Sequence, residues 1–262
     1  MKVYCVKYDA FAGKWIYDGY RSAWKELGYE LTDSDFPGSH DEEFIIMTTD
    51  SAVKDFTHVD ALSKSKKAFV FVQPNSFPKP WGTHPNFISA TNDNIIDALN
   101  ELPHVHYWTF ANVTQEYYHK WKKPVHTIPL AFDSINYKPI EDNKYNKYDI
   151  SFVGGWANNG FDEKKKIIID VFTKFMNSEL ECGFFINKNL SHHQECQLLS
   201  NSKMTLNIHD AYQRTLGLDT NERTFKSLGL NGLLISDTVG QLNNLFPEIL
   251  TSLQSGDLVQ HA

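Results

Sequence analysis

The chain has 262 residues, of which 41% are hydrophobic and 14% aromatic, so it has enough apolar material for one large domain or two smaller ones. Its formal net charge of −7 argues against a general nucleic-acid-binding protein, because such proteins normally carry a basic surplus. The three cysteines, Cys5, Cys182 and Cys196, are far apart and offer neither a disulfide framework nor a CxxC metal pair, which indicates inert thiols in a reducing compartment.

The first residues predict a β-strand rather than a signal peptide. Lys7 and Asp9 follow the short apolar run at once, which a secretory leader would not tolerate. No stretch reaches the roughly 18 consecutive apolar residues that a membrane-spanning helix needs. We therefore expect a cytoplasmic protein without a transmembrane segment.

The first half alternates between strand and helix patterns. Strands are predicted at 2–8, 29–31, 43–48, 67–73, 104–110 and 125–129, and helices at 16–27, 94–102 and 114–121. Residues 9–13 are predicted to form a loop, and 50–63 a helix or loop. This alternation favours an α/β fold with a parallel sheet.

The pattern restarts after residues 134–147, whose polar and charged composition predicts a linker. Strands are predicted at 149–153, 183–186, 204–208 and 232–235, and helices at 163–175, 191–200 and 221–228. We expect an N-terminal Rossmann-like domain over 1–133, the linker, and a C-terminal domain over 148–262. Two such domains would face each other across a cleft, where small-molecule sites are common.

A polar segment with an arginine precedes the helix predicted at 221–228. In open α/β sheets, ligands gather outside the carboxyl ends of strands and at helix N-termini. Arg223 could hold two phosphate oxygens at once, because its guanidinium is a planar fork. Gly154 and Gly155 follow a predicted strand and would let the backbone approach a ligand closely.

Four motifs together resemble a known family: Ile128–Asp133, Tyr137–Pro139, Asp149–Gly155 and Asn221–Phe225. In this order they are similar to the second half of a GT-B glycosyltransferase of the group-1 type related to the spore maturation protein CgeB, over about residues 125–247. The resemblance implies two Rossmann-like domains, with a nucleotide-diphosphate sugar such as a UDP-sugar on the C-terminal one and the acceptor on the N-terminal one. It also implies that no bound metal or other cofactor is required.

The resemblance places Arg223 on the donor diphosphate, and Gly13 in a loop that approaches the same phosphates from the other domain. The candidate donor-binding residues are Gly13, Gly154, Gly155, Asn207, Asn221, Arg223, Thr224 and Lys226. Lys226 departs from the family, which has a glutamate there that often bonds the ribose hydroxyls. Since lysine accepts no hydrogen bond, either the nucleotide is held differently, with a second cation near its phosphates, or donor binding is weakened.

The acceptor side offers two catalytic candidates. An inverting transfer needs a base for the acceptor hydroxyl, and His84, in a proline-rich loop, and Asp18, on the first helix, are suitable residue types. In a retaining transfer the departing diphosphate could take that role. The histidine pairs at 104/106 and 192/193 lack further ligands at metal-binding spacing, so we predict no metal site.

We therefore expect a glycosyltransferase that moves a sugar to the hydroxyl of a glycan, lipid, protein or modified nucleobase. Two alternatives stay open, a non-catalytic relic that binds nucleotide sugars and a GT-B nucleotide-sugar epimerase. Members of the family usually continue, beyond the position of Ala262, with helices that pack on the first domain.

Overall fold

The computed structural model describes residues 1–9, 11–38, 43–83, 87–141, 148–156, 163–230 and 232–262. The chain divides into two compact units, Met1–Pro129 and Leu130–Ala262. No helix in these ranges is long and apolar enough to cross a membrane.

The first unit is built on a six-stranded parallel sheet. Its strands are Lys2–Cys5 (β1), Glu30–Leu31 (β2), Phe44–Thr49 (β3), Lys67–Phe71 (β4), Val105–Thr109 (β5) and Val125–Thr127 (β6). They lie in the order β2-β1-β3-β4-β5-β6, with Val3 opposite Ile45 and Val70 opposite Tyr107. All six residues of β3 are buried, as expected for a strand covered on both faces.

Among the described residues of this unit, three helices cover the sheet, together with short 3₁₀ turns at Asp50–Ala52 and Trp81–Thr83. The helices are Phe11–Glu26 (α1), Phe56–Lys64 (α2) and Asp93–Glu101 (α3). The side chain of Asp55 caps α2 and that of Asn92 caps α3, which satisfies backbone N–H groups that the first helical turn leaves free. One core cluster lies between the sheet and α2 and α3, and a second lies on the face that carries α1.

The second unit has a five-stranded parallel sheet. Its strands are Ile150–Gly154 (β7), Cys182–Ile186 (β8), Met204–Asn207 (β9), Leu234–Ser236 (β10) and Leu250–Thr251 (β11), in the order β11-β10-β9-β7-β8. The helices are Glu163–Met176 (α4), His192–Asn201 (α5), Ala211–Leu216 (α6), Glu222–Leu230 (α7), Gly240–Leu245 (α8) and Ser255–His261 (α9). Helices α4 and α9 pack together, and α5 packs beside α7.

The segment at 130–141 packs on the second unit rather than serving as a free linker. Phe132 lies so close to α7 that a Cβ on Gly229 would come within 2.2 Å of its ring. The Tyr137 hydroxyl bonds His192 Nδ1 at 2.5 Å. The chain thus divides after Pro129, whereas the sequence placed the end of the first domain at 133 and a linker at 134–147; positions 142–147 lie outside the described residues.

Several predicted elements differ from those observed. Helix α1 begins at Phe11, so the loop predicted at 9–13 is wrong in its second part. The helix predicted at 114–121 is a series of turns, whose end is tied down by a hydrogen bond from Trp121 Nε1 to the Gln73 carbonyl. The sequence patterns did not indicate α6, α8, α9 or β11, all of which have seven residues or fewer.

Candidate functional site

The strand order of the second sheet reverses beside β7. Strand β8 follows β7 in sequence and lies on one side of it, while β9 lies on the other. Ligands of open α/β sheets bind outside the carboxyl ends of the strands at such a switch point. Here β7 ends at Gly154 and β9 at Asn207, and the first turn of α7 brings Arg223 to the same place.

Arg223 joins the ends of β7 and β9. Its Nε donates to the Val153 carbonyl at 2.5 Å, and its Nη1 donates to Asn207 Oδ1 at 3.0 Å. The guanidinium carbon lies 4.5 Å from the centre of the Phe152 ring, in cation–π contact. With only 6% of the residue exposed, this side chain is held in one orientation.

Glycine at 154 is what leaves room for this guanidinium. A Cβ at Gly154 would lie 2.1 Å from Arg223 Nη2, far inside van der Waals contact. At Gly155 a Cβ would lie 2.5 Å from the Asn187 side-chain oxygen. Gly154 therefore leaves backbone, rather than a side chain, beside Nη2, whereas Gly155 lies against Asn187.

Arg223 forms no direct ion pair within 4.0 Å with any carboxylate that the structure describes. Its Nη2 likewise makes no hydrogen bond to a described residue. Neighbouring cations differ: Lys226 Nζ lies 2.7 Å from Glu195, and Lys164 Nζ lies 3.2 Å from Asp210. A buried charge without a counter-ion is costly, so this arrangement favours the binding of an anion.

A chain of buried, hydrogen-bonded polar side chains supports Asn207, which in turn binds Arg223. Asp237 Oδ1 accepts from His209 Nδ1 at 2.6 Å, and His209 Nε2 lies 2.7 Å from the Thr220 hydroxyl. The Thr220 and Thr224 hydroxyls are 2.7 Å apart, and Asn207 Nδ2 donates to Thr224 at 2.9 Å. With Nδ1 of His209 as the donor and Nε2 as the acceptor, every donor in this chain can point the same way, which turns Asn207 Oδ1 toward Arg223.

The remaining candidates, on α7 and directly before it, take different positions. Thr224 is fully buried within the polar chain, so its hydroxyl supports Asn207. Asn221 donates to the Ile208 carbonyl at 3.5 Å, while its Oδ1 is buried without a partner among the described residues. Lys226 does not stand alone as a second cation, because it is paired with Glu195.

Two carboxyl groups near the switch point have shifted pKa values. Burial raises the pKa of Asp219 to about 6, although Gln213 donates a hydrogen bond to it. For Glu222, burial acts to raise the pKa, but Lys226 and Arg223 outweigh it and hold the pKa below its usual range. Glu222 thus stays ionised at neutral pH and partly balances both cations through space.

The remaining candidates belong to the first unit. Gly13 lies within α1, where a Cβ would touch Tyr8 at 3.2 Å; it is not in a loop, and its approach to donor phosphates stays a prediction. Asp18 is on α1 in a solvent-exposed ion pair with Lys14 at 2.7 Å. His84 lies outside the described residues.

The sequence reasoning missed the roles of His209, Asp237 and Thr220 in the polar chain. A signal was present, because His209 and Asp237 each follow a short apolar strand pattern, and polar tips of neighbouring parallel strands meet at one edge of a sheet. Within the described ranges, no group of three or more His, Cys, Asp and Glu residues is arranged to hold a metal ion.

Comparisons with known proteins agree with this geometry. Residues 141–262, which include the whole switch point, match the family model described as "Glycosyl transferase-like". No curated protein matches the chain by sequence.

Two solved structures are similar in fold. The first is AviGT4, a glycosyltransferase involved in avilamycin A biosynthesis, with a TM-score of 0.52, 10% identity, and coverage of 99% of this chain and 86% of that one. The second is the pneumococcal O-GlcNAc transferase GtfA in complex with UDP and GlcNAc, with a TM-score of 0.43, 14% identity, and coverage of 92% of this chain and 51% of that one.

The predicted fold class is confirmed: the chain consists of two α/β units with parallel sheets, and its fold is of the GT-B type. The switch point of the second unit lies within the region that matches the family model. The C-terminal unit therefore contains both the region that matches this family model and the buried arginine at the switch point of its sheet.

Proposed function

We propose that the chain is a glycosyltransferase whose second unit binds a nucleotide-diphosphate sugar, with the diphosphate on Arg223. The observation that carries this proposal is the buried guanidinium at the switch point, which joins β7 to β9 and has no described carboxylate as a partner. A diphosphate would supply the missing negative charge. The backbone at Gly154 and Gly155 would approach it without obstruction from side chains.

In this proposal, catalysis rests on charge stabilisation rather than covalent chemistry. As the glycosidic bond to the donor breaks, negative charge grows on the leaving diphosphate, and a preorganised arginine lowers the barrier by stabilising it. The amino end of α7 adds the positive end of a helix dipole to the same place. The chain from Asp237 to Asn207 keeps the guanidinium in position, so little reorganisation is needed during the reaction.

The acceptor side of the proposal concerns the base that deprotonates the acceptor hydroxyl. We keep Asp18 and His84 as the candidate bases for an inverting transfer, and the leaving diphosphate as the base of a retaining one. The acceptor hydroxyl belongs to a glycan, lipid, protein or modified nucleobase. The closer relation to the CgeB group, the hexosyl or pentosyl nature of the donor and the cytoplasmic location stay predictions.

We also propose that the transfer needs no metal ion, since Arg223 and the dipole of α7 provide the positive charge that a metal would otherwise supply. Activity should then be unchanged after treatment with EDTA and desalting. Full loss of activity, with recovery on addition of Mn²⁺, would contradict this part of the proposal.

The function is tested by the release of nucleoside diphosphate from a panel of UDP-, GDP-, ADP- and TDP-sugars. A competent transferase should release diphosphate slowly from one of these donors even without an acceptor, by transfer to water. Binding of a donor without any release would favour the non-catalytic alternative. If no nucleoside diphosphate binds at all, the proposed function is wrong.

A further inference from the structure

A nearly buried ion pair joins α5 to α7 beside the switch point. Lys226 Nζ lies 2.7 Å from Glu195 Oε1, and only 11% and 15% of the two side chains are exposed. Lys226 is one helical turn beyond Arg223 on α7, which places the two residues on neighbouring positions of one helix face. The pair therefore lies about one turn, roughly 5 Å along the helix, from the arginine.

Only one oxygen of the Glu195 carboxylate is hydrogen-bonded within the described part of the chain. Oε1 is bound to Lys226, but Oε2 forms no hydrogen bond with any residue in the part of the chain that the structure describes. Removal from water is costly for a carboxylate unless both oxygens find donors. The contact with Lys226 fixes the direction of the group, so an oxygen acceptor is available beside the arginine.

A nucleoside diphosphate bound to Arg223 would have a ribose next to its phosphates. The two ribose hydroxyls are hydrogen-bond donors, and an acidic side chain is the usual protein partner for them in nucleotide-binding α/β folds. Neither Lys226 nor Arg223 can accept such bonds. Among the side chains of this ion pair, Glu195 alone has the required chemistry.

We propose that Glu195 on α5, held by Lys226, receives the ribose hydroxyls of the nucleotide and makes the site selective for ribonucleotides. This inference rests on the proposed function, because it requires the diphosphate on Arg223. Glu195 is then the binding residue and Lys226 a positioning residue. In this proposal the ribose-binding carboxylate lies on α5 instead of at position 226 of α7.

The test compares the affinities for UDP and 2′-deoxy-UDP by calorimetry, with the ADP, GDP and CDP pairs in parallel. The wild-type chain should bind the ribonucleotide of its preferred base at least about tenfold more tightly than the 2′-deoxy form, as expected for a hydrogen bond to a charged group. Glu195→Gln should reduce this ratio to about threefold or less. The affinity for inorganic pyrophosphate, which has no ribose, should not change.

Two further variants separate binding from structural support. The exchange Glu195→Lys with Lys226→Glu keeps an ion pair but moves the carboxylate to α7, and it should restore most of the ratio. Lys203→Met removes an exposed lysine–carboxylate pair, with Asp149, at the amino end of β7, and should leave the ratio unchanged. This variant controls for the loss of a lysine from the same unit.

The outcomes distinguish the two proposals. If the wild type binds pyrophosphate and nucleotides but shows no preference for ribose, or if Glu195→Gln keeps the full ratio, the role of Glu195 is overturned while the proposed function stands. If neither pyrophosphate nor any nucleoside diphosphate binds, both proposals fail. A loss of folding in Glu195→Gln would be visible in thermal unfolding, and the exchanged pair then decides the question.

Discussion

The two units both have a switch point in their parallel sheet, but the buried charged groups at the two switch points are opposite in sign. Each parallel sheet has a switch point, between β1 and β3 in the first unit and between β7 and β9 in the second. At the end of β3 lies the carboxylate of Asp50, and at the ends of β7 and β9 lies the guanidinium of Arg223. Both groups are almost fully buried, but only one of them is suited to an anion.

The partners of these two groups explain the difference. Asp50 accepts hydrogen bonds from the Ser89 hydroxyl at 2.6 Å, the Ser51 N–H at 2.7 Å and the Gln73 N–H at 3.4 Å. These hydrogen bonds engage both oxygens of the Asp50 carboxylate. Burial nevertheless raises the pKa of Asp50. Arg223 instead keeps one nitrogen without a described partner. At the first switch point the protein itself provides the hydrogen bonds of the buried group. At the second, one nitrogen of the buried group is available for a ligand.

The largest expected effect comes from Arg223→Ala. Donor diphosphate binding should weaken by about 1.5–3 kcal/mol, the contribution of a hydrogen bond to a charged group, and the loss of three hydrogen bonds should also lower the free energy of unfolding. Calorimetry with UDP and thermal unfolding measure the two effects separately.

Arg21→Ala is the matched control in the first unit. Arg21 also binds backbone carbonyls at strand ends, those of Cys5 at 2.7 Å and Thr32 at 3.0 Å. Its loss should destabilise the first unit and leave UDP affinity unchanged. Equal losses of affinity in both variants would mean that general destabilisation, not a lost phosphate contact, explains the result for Arg223.

Gly154→Ala tests the space beside the guanidinium. The new Cβ would meet Nη2 at 2.1 Å, so Arg223 would have to leave its hydrogen bond to Val153 or the strand end would have to shift. We expect a loss of about 1–3 kcal/mol in stability, the usual effect of overpacking, and weaker UDP binding. A variant with wild-type stability and affinity would show that the close approach has no function.

Each unit contains an aspartate with a raised pKa, and these groups make stability depend on pH. The pKa of Asp219 is about 6 in the folded chain, against 3.8 in its unperturbed state. The folded state therefore binds the proton more tightly, so stability is greatest below pH 4 for this group and falls as the pH rises toward and through 6. After allowance for its partial exposure, the loss is about 1–2 kcal/mol.

Asp219→Asn should remove this contribution. We expect the variant to be more stable than the wild type at pH 7.5 and to match it near pH 4, as measured by urea unfolding at both values. A wild type and variant with parallel pH profiles would contradict the raised pKa.

Thr224→Val tests the polar chain of Asp237, His209, Thr220, Thr224 and Asn207 beside Arg223. The change keeps the shape of the side chain but removes the hydroxyl that accepts from Asn207 and bonds Thr220. Stability should fall by about 1–3 kcal/mol, since two buried partners lose a bond, and UDP affinity should fall by less than in Arg223→Ala. An affinity equal to wild type would show that Arg223 needs no support from Asn207.

The sequence predicted the fold better than the site. Apolar runs such as Ala68–Val72 identified the buried strands, because a strand covered on both faces needs little more than its own residues to be recognised. Helices α6 and α8 have six residues each, too few for a 3.6-residue period to be visible. Gly13 suggested a loop, yet the packing of α1 on the sheet includes it in a helix.

At the site, the sequence predicted the residue types but not their partners. Arg223, Gly154 and Asn207 were expected near a ligand, because polar residues and glycines at strand ends have few other roles. The pairing of Lys226 with Glu195 depends on α5 lying beside α7, which no local pattern encodes. The contact between Phe132 and Gly229 likewise depends on where the 130–141 segment packs.

The central claim is that Arg223 at the second switch point holds the diphosphate of the donor. A crystal structure of the chain soaked with UDP tests it most directly. We expect diphosphate oxygens within hydrogen-bond distance of Arg223 Nη2 and beside the backbone of Gly154 and Gly155, with none at Asp50. A diphosphate bound elsewhere, with Nη2 of Arg223 still without an anion, would contradict it.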